Sequence, residues 1–282
     1  MSNLLLEADH LFFSYEGESA FALNDLSLKI PKGKKIACMG SNGSGKSTFF
    51  LCCNGIRRPQ KGRLLFDGRP FDYSKKGLLQ LRRQTGIVFQ DPDTQLFSSS
   101  VFQEIAFGPL NLGEAPEVVR KKTEEIMERL GLSSFADKPV HALSGGQKKL
   151  VAIADILVME PRLLILDEPA SALDPLHTGL IRDIIQGIAD QGVTILMATH
   201  DVDYAYHWAD EILLFHAGRI LEKGSPASVF SNKALLKQTS LTQPSVLSLF
   251  FRLCETGLLS PALPMPRTFE DITCYLQHSG QI

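Results

Sequence analysis

Gly40-Ser41-Asn42-Gly43-Ser44-Gly45-Lys46-Ser47 is the stretch on which the fold turns. It matches the pattern G-x-x-x-x-G-K-[ST] in the required context, with an apolar strand-like run (Lys34–Met39) before it and a helix-like run after it. Glycines let the backbone curl so that successive N–H groups face an anion. A helix starting near Lys46 adds the partial positive charge of its N-terminus. Lys46 can reach the β and γ phosphates of a nucleotide, Ser47 offers a hydroxyl to Mg²⁺, and Thr48 adds a phosphate contact. Strand, anion loop and helix in this order predict a nucleotide-binding α/β fold.

On the N-terminal side, Leu26, Leu28 and Ile30 alternate with Ser27 and Lys29, the period of a half-buried strand, and Pro31-Lys32-Gly33 is a turn. Arg63–Phe66, closed by Asp67-Gly68, and Gly86–Phe89 are further short strands. The middle of the chain is helical. Pro116–Leu130 has Pro at its start and Gly131 past its end, with a stripe of Val119, Ile126, Met127 and Leu130. Ser144-Gly145-Gly146-Gln147 fits a capping box, and Leu150, Ile153, Ala154 and Leu157 follow at helical spacing. Strand Leu163–Leu166, helix Leu176–Gln191 and strand Thr194–Ala198 then alternate, which predicts a mostly parallel sheet. The helix shows Leu180, Ile181, Ile184 and Ile188 on one side. Ile212–Phe215 and Arg219–Glu222 flank Ala217-Gly218 as an antiparallel hairpin at the sheet edge. Beyond about residue 235, prolines at 244, 261, 264 and 266 punctuate two short helical patches, Val246–Thr256 and Phe269–Leu276.

Acids and a histidine follow the strands, where ligands gather in parallel α/β sheets. Asp167 and Glu168 close the apolar run Leu163–Leu166. With the Lys46 loop present, Asp167 is expected to hold Mg²⁺, directly or through water, and Glu168 to polarise the attacking water. His200 follows strand Thr194–Ala198 and Gln90 follows Gly86–Phe89. His200 could contact the γ phosphate, and Gln90 the metal or the water. Their positions alone do not separate these roles from those of surface residues.

Composition narrows the classes. The 282 residues are 44% hydrophobic and 21% charged, with a net charge of −2. That argues against nucleic-acid binding driven by bulk positive charge. No run approaches the ~18 uninterrupted apolar residues of a membrane span; Asp155 interrupts Leu150–Met159. Met1–Asp9 shows no secretory signal pattern. Five cysteines, at 38, 52, 53, 254 and 274, form no CxxC pair, and adjacent Cys52 and Cys53 read as buried thiols. The odd count suggests a reducing compartment.

Taken together, the ordered set Gly40–Thr48, Gln90, Leu143-Ser144-Gly145-Gly146-Gln147, Leu163–Glu168, Ser171-Ala172-Leu173-Asp174 and His200 resembles the ATP-binding cassette ATPases over roughly residues 4–235. The resemblance implies a P-loop NTPase core, α/β, with a mostly parallel sheet, an N-terminal antiparallel β region, an inserted α-helical subdomain at about 91–160, and a short C-terminal helical appendix at 241–282 after a nucleotide-binding domain at 4–240. It implies ATP and Mg²⁺ as cofactors, with Ser47, Gln90 and Asp167 at the metal and Glu168, His200 and Gln90 catalytic. It also implies head-to-tail dimers, each ATP held between Gly40–Thr48 of one subunit and Ser144, Gly145, Gly146 and Gln147 of the other, with Asp174 along the contact. Tyr15 sits where members place an aromatic on adenine.

Gln90-Asp91-Pro92-Asp93-Thr94-Gln95-Leu96-Phe97 and Ala106-Phe107-Gly108-Pro109-Leu110-Asn111-Leu112-Gly113 resemble the energy-coupling-factor type, importers of vitamins and of cobalt or nickel. The implied partners are a second ATPase subunit, identical or related, an integral membrane transport subunit and a substrate-binding membrane subunit. The chain would lie peripherally on the cytoplasmic face, with no nucleic acid expected. Leu96, Phe97, Phe102 and Phe107 also fit plain core positions. Leu150 replaces the basic residue usual after the signature, and Asp155 stands where a small or basic residue is common. The competing expectations are a soluble cassette ATPase acting on ribosomes or nucleic acid, and an ATP-binding regulator without turnover. Leu249, Phe250 and Leu253 are expected to pair the C-terminal ends of two subunits.

Overall fold

The structure, a computed structural model, describes residues 3–18 and 20–279. The chain opens with β1 (Leu4–Phe13) and β2 (Leu23–Pro31), and β3 (Lys35–Met39) runs into the Gly40–Gly45 loop and α1 (Lys46–Cys53). Next come β4 (Lys61–Phe66), β5 (Arg69–Pro70), α2 (Lys75–Gln84) and β6 (Thr85–Val88). The inserted helices are α3 (Val101–Asn111), α4 (Pro116–Arg129) and α5 (Gly145–Leu157). Strands and helices then alternate: β7 (Leu163–Asp167), α6 (Pro175–Ala189), β8 (Thr194–Ala198), α7 (Val202–Trp208), β9 (Glu211–His216) and β10 (Arg219–Gly224). α8 (Pro226–Ser231), α9 (Lys233–Thr239), α10 (Ser245–Glu255) and α11 (Phe269–Ser279) follow.

Two sheets organise these elements. The larger has the order β10-β9-β3-β8-β7-β6. It is parallel from β9 to β6, with β10 antiparallel at its edge. The smaller is antiparallel, in the order β2-β1-β4-β5. Both predicted β regions are present. The central strands are apolar without alternation because both faces are covered. Ala37 and Met39 of β3 join one core with Val151 and Ile185 from α5 and α6. Ile36 and Cys38 join the other with Phe49 and Phe50 of α1 and the antiparallel sheet. α1 is buried on most sides, which is why it reads as a continuous apolar run and not as an amphipathic helix.

Two expectations are revised. The buried stripe of α6 is Ile181, Ile185 and Ile188, while Leu180 is 43% exposed. The spacing i, i+4, i+7 keeps these three on one face, and Leu180 lies off it. Phe250 is buried in its own chain's core with Val246, Leu247, Leu259 and Ile272, and Leu253 packs against that core. Of the proposed pairing residues only Leu249 is exposed. The last three residues of the expected appendix lie outside the described residues. Finally, α3 is a helix despite Pro109, which sits in its last turn where it interrupts little.

Candidate nucleotide-binding site

The loop between β3 and α1 is shaped by close backbone approach. Gly45 has φ 106°, and a Cβ there would lie 2.6 Å from the Ala22 carbonyl, so only glycine fits. Lys46 folds back over the loop, its Nζ donating to the carbonyls of Gly40 at 2.7 Å and Ser41 at 3.1 Å. Burial holds its ammonium below the usual lysine range, while Glu168 and Asp167 pull the other way. Beside the loop, the Tyr15 hydroxyl and Thr48 Oγ1 are 3.1 Å apart, and the Arg57 guanidinium lies over the Tyr15 ring at 5.6 Å.

Three strand ends complete the cleft. Ser47 Oγ donates to Asp167 Oδ2 at 2.7 Å, joining the loop to the end of β7. Glu168 follows in a left-handed backbone, φ 50°, with its N–H bonded to the Ala198 carbonyl of β8 at 3.1 Å. Its Oε1 is buried and lacks a hydrogen bond, although His200 Nε2 stands 3.4 Å away. Burial raises the Glu168 pKa; Asp167 adds to this, and His200 and Lys46 oppose it. Tyr15, Asn42–Thr48, Gln90, Asp167, Glu168 and His200 line one cleft of about 660 Å³. Gly40 and Ser41 stand behind it, holding Lys46 through their carbonyls.

Lys149 was not among the expected site residues. It is 3% exposed, and its Nζ donates to the Gln90 carbonyl at 2.5 Å, the Glu168 carbonyl at 3.2 Å and Ser171 Oγ at 3.5 Å. One ammonium on α5 thus joins the segments after β6 and β7. Burial lowers its pKa while Asp91, Glu168 and Asp167 oppose that shift. The available signal was a lysine heading the apolar run Leu150–Ala154 on a buried helix. Gln95 makes a second tie: its Oε1 accepts from the Phe89 N–H at 3.3 Å, and its Nε2 donates to the Ala152 carbonyl at 3.0 Å and Asp155 Oδ2 at 3.2 Å.

Ser144, Gly145, Gly146, Gln147 and Asp174 form a separate group that does not line this cleft. The predicted capping box is present: Gln147 N–H donates to Ser144 Oγ at 3.3 Å, and Ser144 N–H to Gln147 Oε1 at 3.0 Å. Asp174 caps α6, accepting from His177 N–H at 2.9 Å and pairing with His177 Nδ1 at 2.7 Å. A Cβ on Gly146 would lie 2.5 Å from the His177 ring, so glycine lets the N-terminus of α5 close on the residue that Asp174 holds.

Residues 23–171 match the family model described as ABC transporter. The chain belongs to the ABC transporter family. An energy-coupling factor transporter ATP-binding protein, EcfA2 of Methanospirillum hungatei, is 43% identical over 275 residues, 98% of this chain. The chain spans 69% of that protein's length and 59% of the length of a Methanosarcina mazei relative. The cobalt import ATP-binding protein CbiO of Rhodobacter capsulatus is 42% identical over 94% of both chains. The solved structure of cbiO1 from Clostridium perfringens, described as part of the ABC transporter complex cbiONQ, superimposes with a TM-score of 0.74 at 40% identity, covering 91% of this chain and 98% of that one. As an ABC transporter family member the chain is nucleotide-binding. Among the described residues, no helix is long and apolar enough to cross a membrane.

Proposed function

We propose that this chain is the ATP-hydrolysing subunit of an importer of the energy-coupling-factor type, taking up a metal ion, cobalt or nickel, or a vitamin. It would work peripherally on the cytoplasmic face with an integral membrane transport subunit, a substrate-binding membrane subunit and a second ATPase subunit. The observation that carries the reading is the half-buried Glu168 carboxylate, which lines the cleft of the Lys46 loop and whose buried Oε1 lacks a hydrogen bond. A carboxylate whose pKa is raised and whose oxygen is unsatisfied is suited to accept the proton of a water attacking the γ phosphorus. The bond from the γ phosphorus to the bridging oxygen then breaks, leaving ADP and inorganic phosphate.

The other residues divide the remaining work. Gly40–Thr48 would grip the phosphates, with Lys46 exchanging its loop carbonyls for phosphate oxygens. The close Ser47–Asp167 pair fits the donor set of a magnesium site, hard oxygens at a phosphate loop, with Gln90 at its rim. Bound there, magnesium neutralises charge on the phosphates. Tyr15 would stack on adenine, and His200 would contact the γ phosphate while holding Glu168. Ser144–Gln147 and Asp174 lie off the cleft, which supports their serving the nucleotide of a second subunit. We assign the nucleotide-binding domain to 4–240, its helical subdomain to about 91–160 and the appendix to 241–282. The name of the Rhodobacter capsulatus relative supports cobalt as the first cargo to test.

Glu168→Gln tests the central claim. The variant should bind MgATP within about twofold of the parent, and its steady-state turnover should fall by roughly 10²-fold or more, the usual reach of a lost general base. Phosphate release close to parent levels would remove Glu168 from the role.

A further inference from the structure

Residues 55–84 contain nine Lys or Arg and two Asp, a net charge of +7 in a chain whose total is −2. All nine basic side chains are exposed. The centre of this stretch is α2. Its buried face is Gly77 and Leu81, with Leu78 half-buried. The opposite face carries Lys75, Lys76, Arg82 and Arg83 around Leu79, which is 46% exposed. The helix contains no acidic residue.

The turn at Gly55–Arg58 extends this surface, because both ends of α2 touch it. Arg82 donates to the Gly55 carbonyl at 3.4 Å, and the Arg58 guanidinium lies 4.8 Å over the ring of Tyr73, two residues before the helix starts. Arg57, Arg58 and Ile56, which is 43% exposed, therefore run alongside the helix. Among the described residues Lys75, Lys76, Arg57 and Arg58 form no ion pair, and of the six basic groups on α2 and the turn only Arg83 has one, to Glu114 at 3.4 Å. Lys75 and Lys76 occupy the first helical turn, where cations oppose the helix dipole. The fold gains nothing from charge of this sign at that end.

We propose that α2 and the Gly55–Arg58 turn form a docking face for a bilayer surface bearing anionic phospholipid headgroups. Charge complementarity argues for the occupant: guanidinium and ammonium groups ring one leucine, the pattern of a helix that lies in the interface with its apolar residue at the headgroup boundary. Juxtamembrane Lys and Arg are drawn to the negative surface potential of an anionic leaflet. With a total of −2 and +7 in this stretch, the rest of the chain carries −9, so the positive charge is confined to one face that can meet a flat anionic surface. The face meets the nucleotide cleft at Arg57, whose guanidinium lies over the Tyr15 ring, while α2 itself does not line the cleft, and the inference stands whether or not the chain hydrolyses ATP.

The test is cosedimentation of the full chain with vesicles of phosphatidylcholine alone and of phosphatidylcholine containing phosphatidylglycerol. Binding to the anionic vesicles should exceed binding to neutral ones by tenfold or more and should weaken as salt is raised. The pair Lys75→Glu with Lys76→Glu should reduce it by at least tenfold, with circular dichroism and ATP binding as for the parent. Leu79→Ser should reduce it severalfold. Lys121→Glu, on exposed α4, should change it less than twofold. Equal binding to both vesicle types, or binding that survives the Lys75 and Lys76 reversals, overturns the proposal. So does a preference of the parent for a short DNA duplex over anionic vesicles that is lost with the same reversals.

Discussion

At the scale of single residues, the two side chains that most affect the cleft from outside are Lys149 and Asp155, one turn and a half apart on α5. Lys149→Met keeps the length and apolar bulk while removing the ammonium that joins Gln90 to Glu168. Its kcat for ATP should fall roughly tenfold or more, since small misplacements of reacting groups carry large penalties, with nucleotide affinity within about twofold. Asp155 is half-buried beside Gln95 and Glu104, and its loss of solvent pushes its carboxyl up to about 7. Well below the ordinary aspartate value of 3.8 both folded and unfolded forms are protonated. From there to about pH 7 the unfolded carboxyl releases its proton and the folded one keeps it, so the fold loses stability as pH rises through that window. Asp155→Asn keeps the acceptor for Gln95 and removes the ionisation. Urea unfolding should show it close to the parent at pH ~2.5, below the ordinary aspartate value, and more stable by a few kcal/mol at pH ~8. The departure of Asp155 from a small or basic residue was legible in the sequence. Its burial was not, because a single acid in an apolar helix reads as a charge pointing outward.

Single elements show where local rules suffice. Ser144, Gly145, Gly146 and Gln147 predict their own geometry, since a capping box is closed within four residues. Ser144→Ala should lower stability by about 1 kcal/mol, as measured by thermal unfolding, from loss of the cap. β3, β7 and β8 were equally legible, being short apolar runs bounded by turns. α2 and α7 were not anticipated, and the reasons differ. α2 buries so few residues that its stripe hardly repeats. α7 is held by side chains distant in sequence: Asp203 accepts from Ser245, Tyr206 donates to the Pro266 carbonyl at 2.8 Å, and Arg267 donates to the His207 and Ala209 carbonyls at 2.9 and 2.8 Å.

For the whole molecule, the tail belongs to the main core and is no loose addition. Val246, Leu247, Phe250, Leu259 and Ile272 are each at most 5% exposed. At about 1.5–3 kcal/mol for each large apolar side chain buried, their combined loss is comparable to the 5–15 kcal/mol by which a domain is stable. A chain ending at Ser240 should therefore be recovered mostly as aggregate, where the full chain stays monodisperse in gel filtration. The division of the cleft residues from the Ser144 group was implied by motif order, but the site beyond the loop needed three strand ends brought side by side, a juxtaposition that spacing alone does not specify. The anchoring of α7 has a further consequence in time. Polypeptides are made and fold from the N-terminus onward, so the phosphate loop is made before the segment that anchors α7. Tyr206 and Arg267 can meet only after residue 267 has been translated, more than two hundred residues after the phosphate loop, so the helix behind His200 gains its footing late relative to that loop.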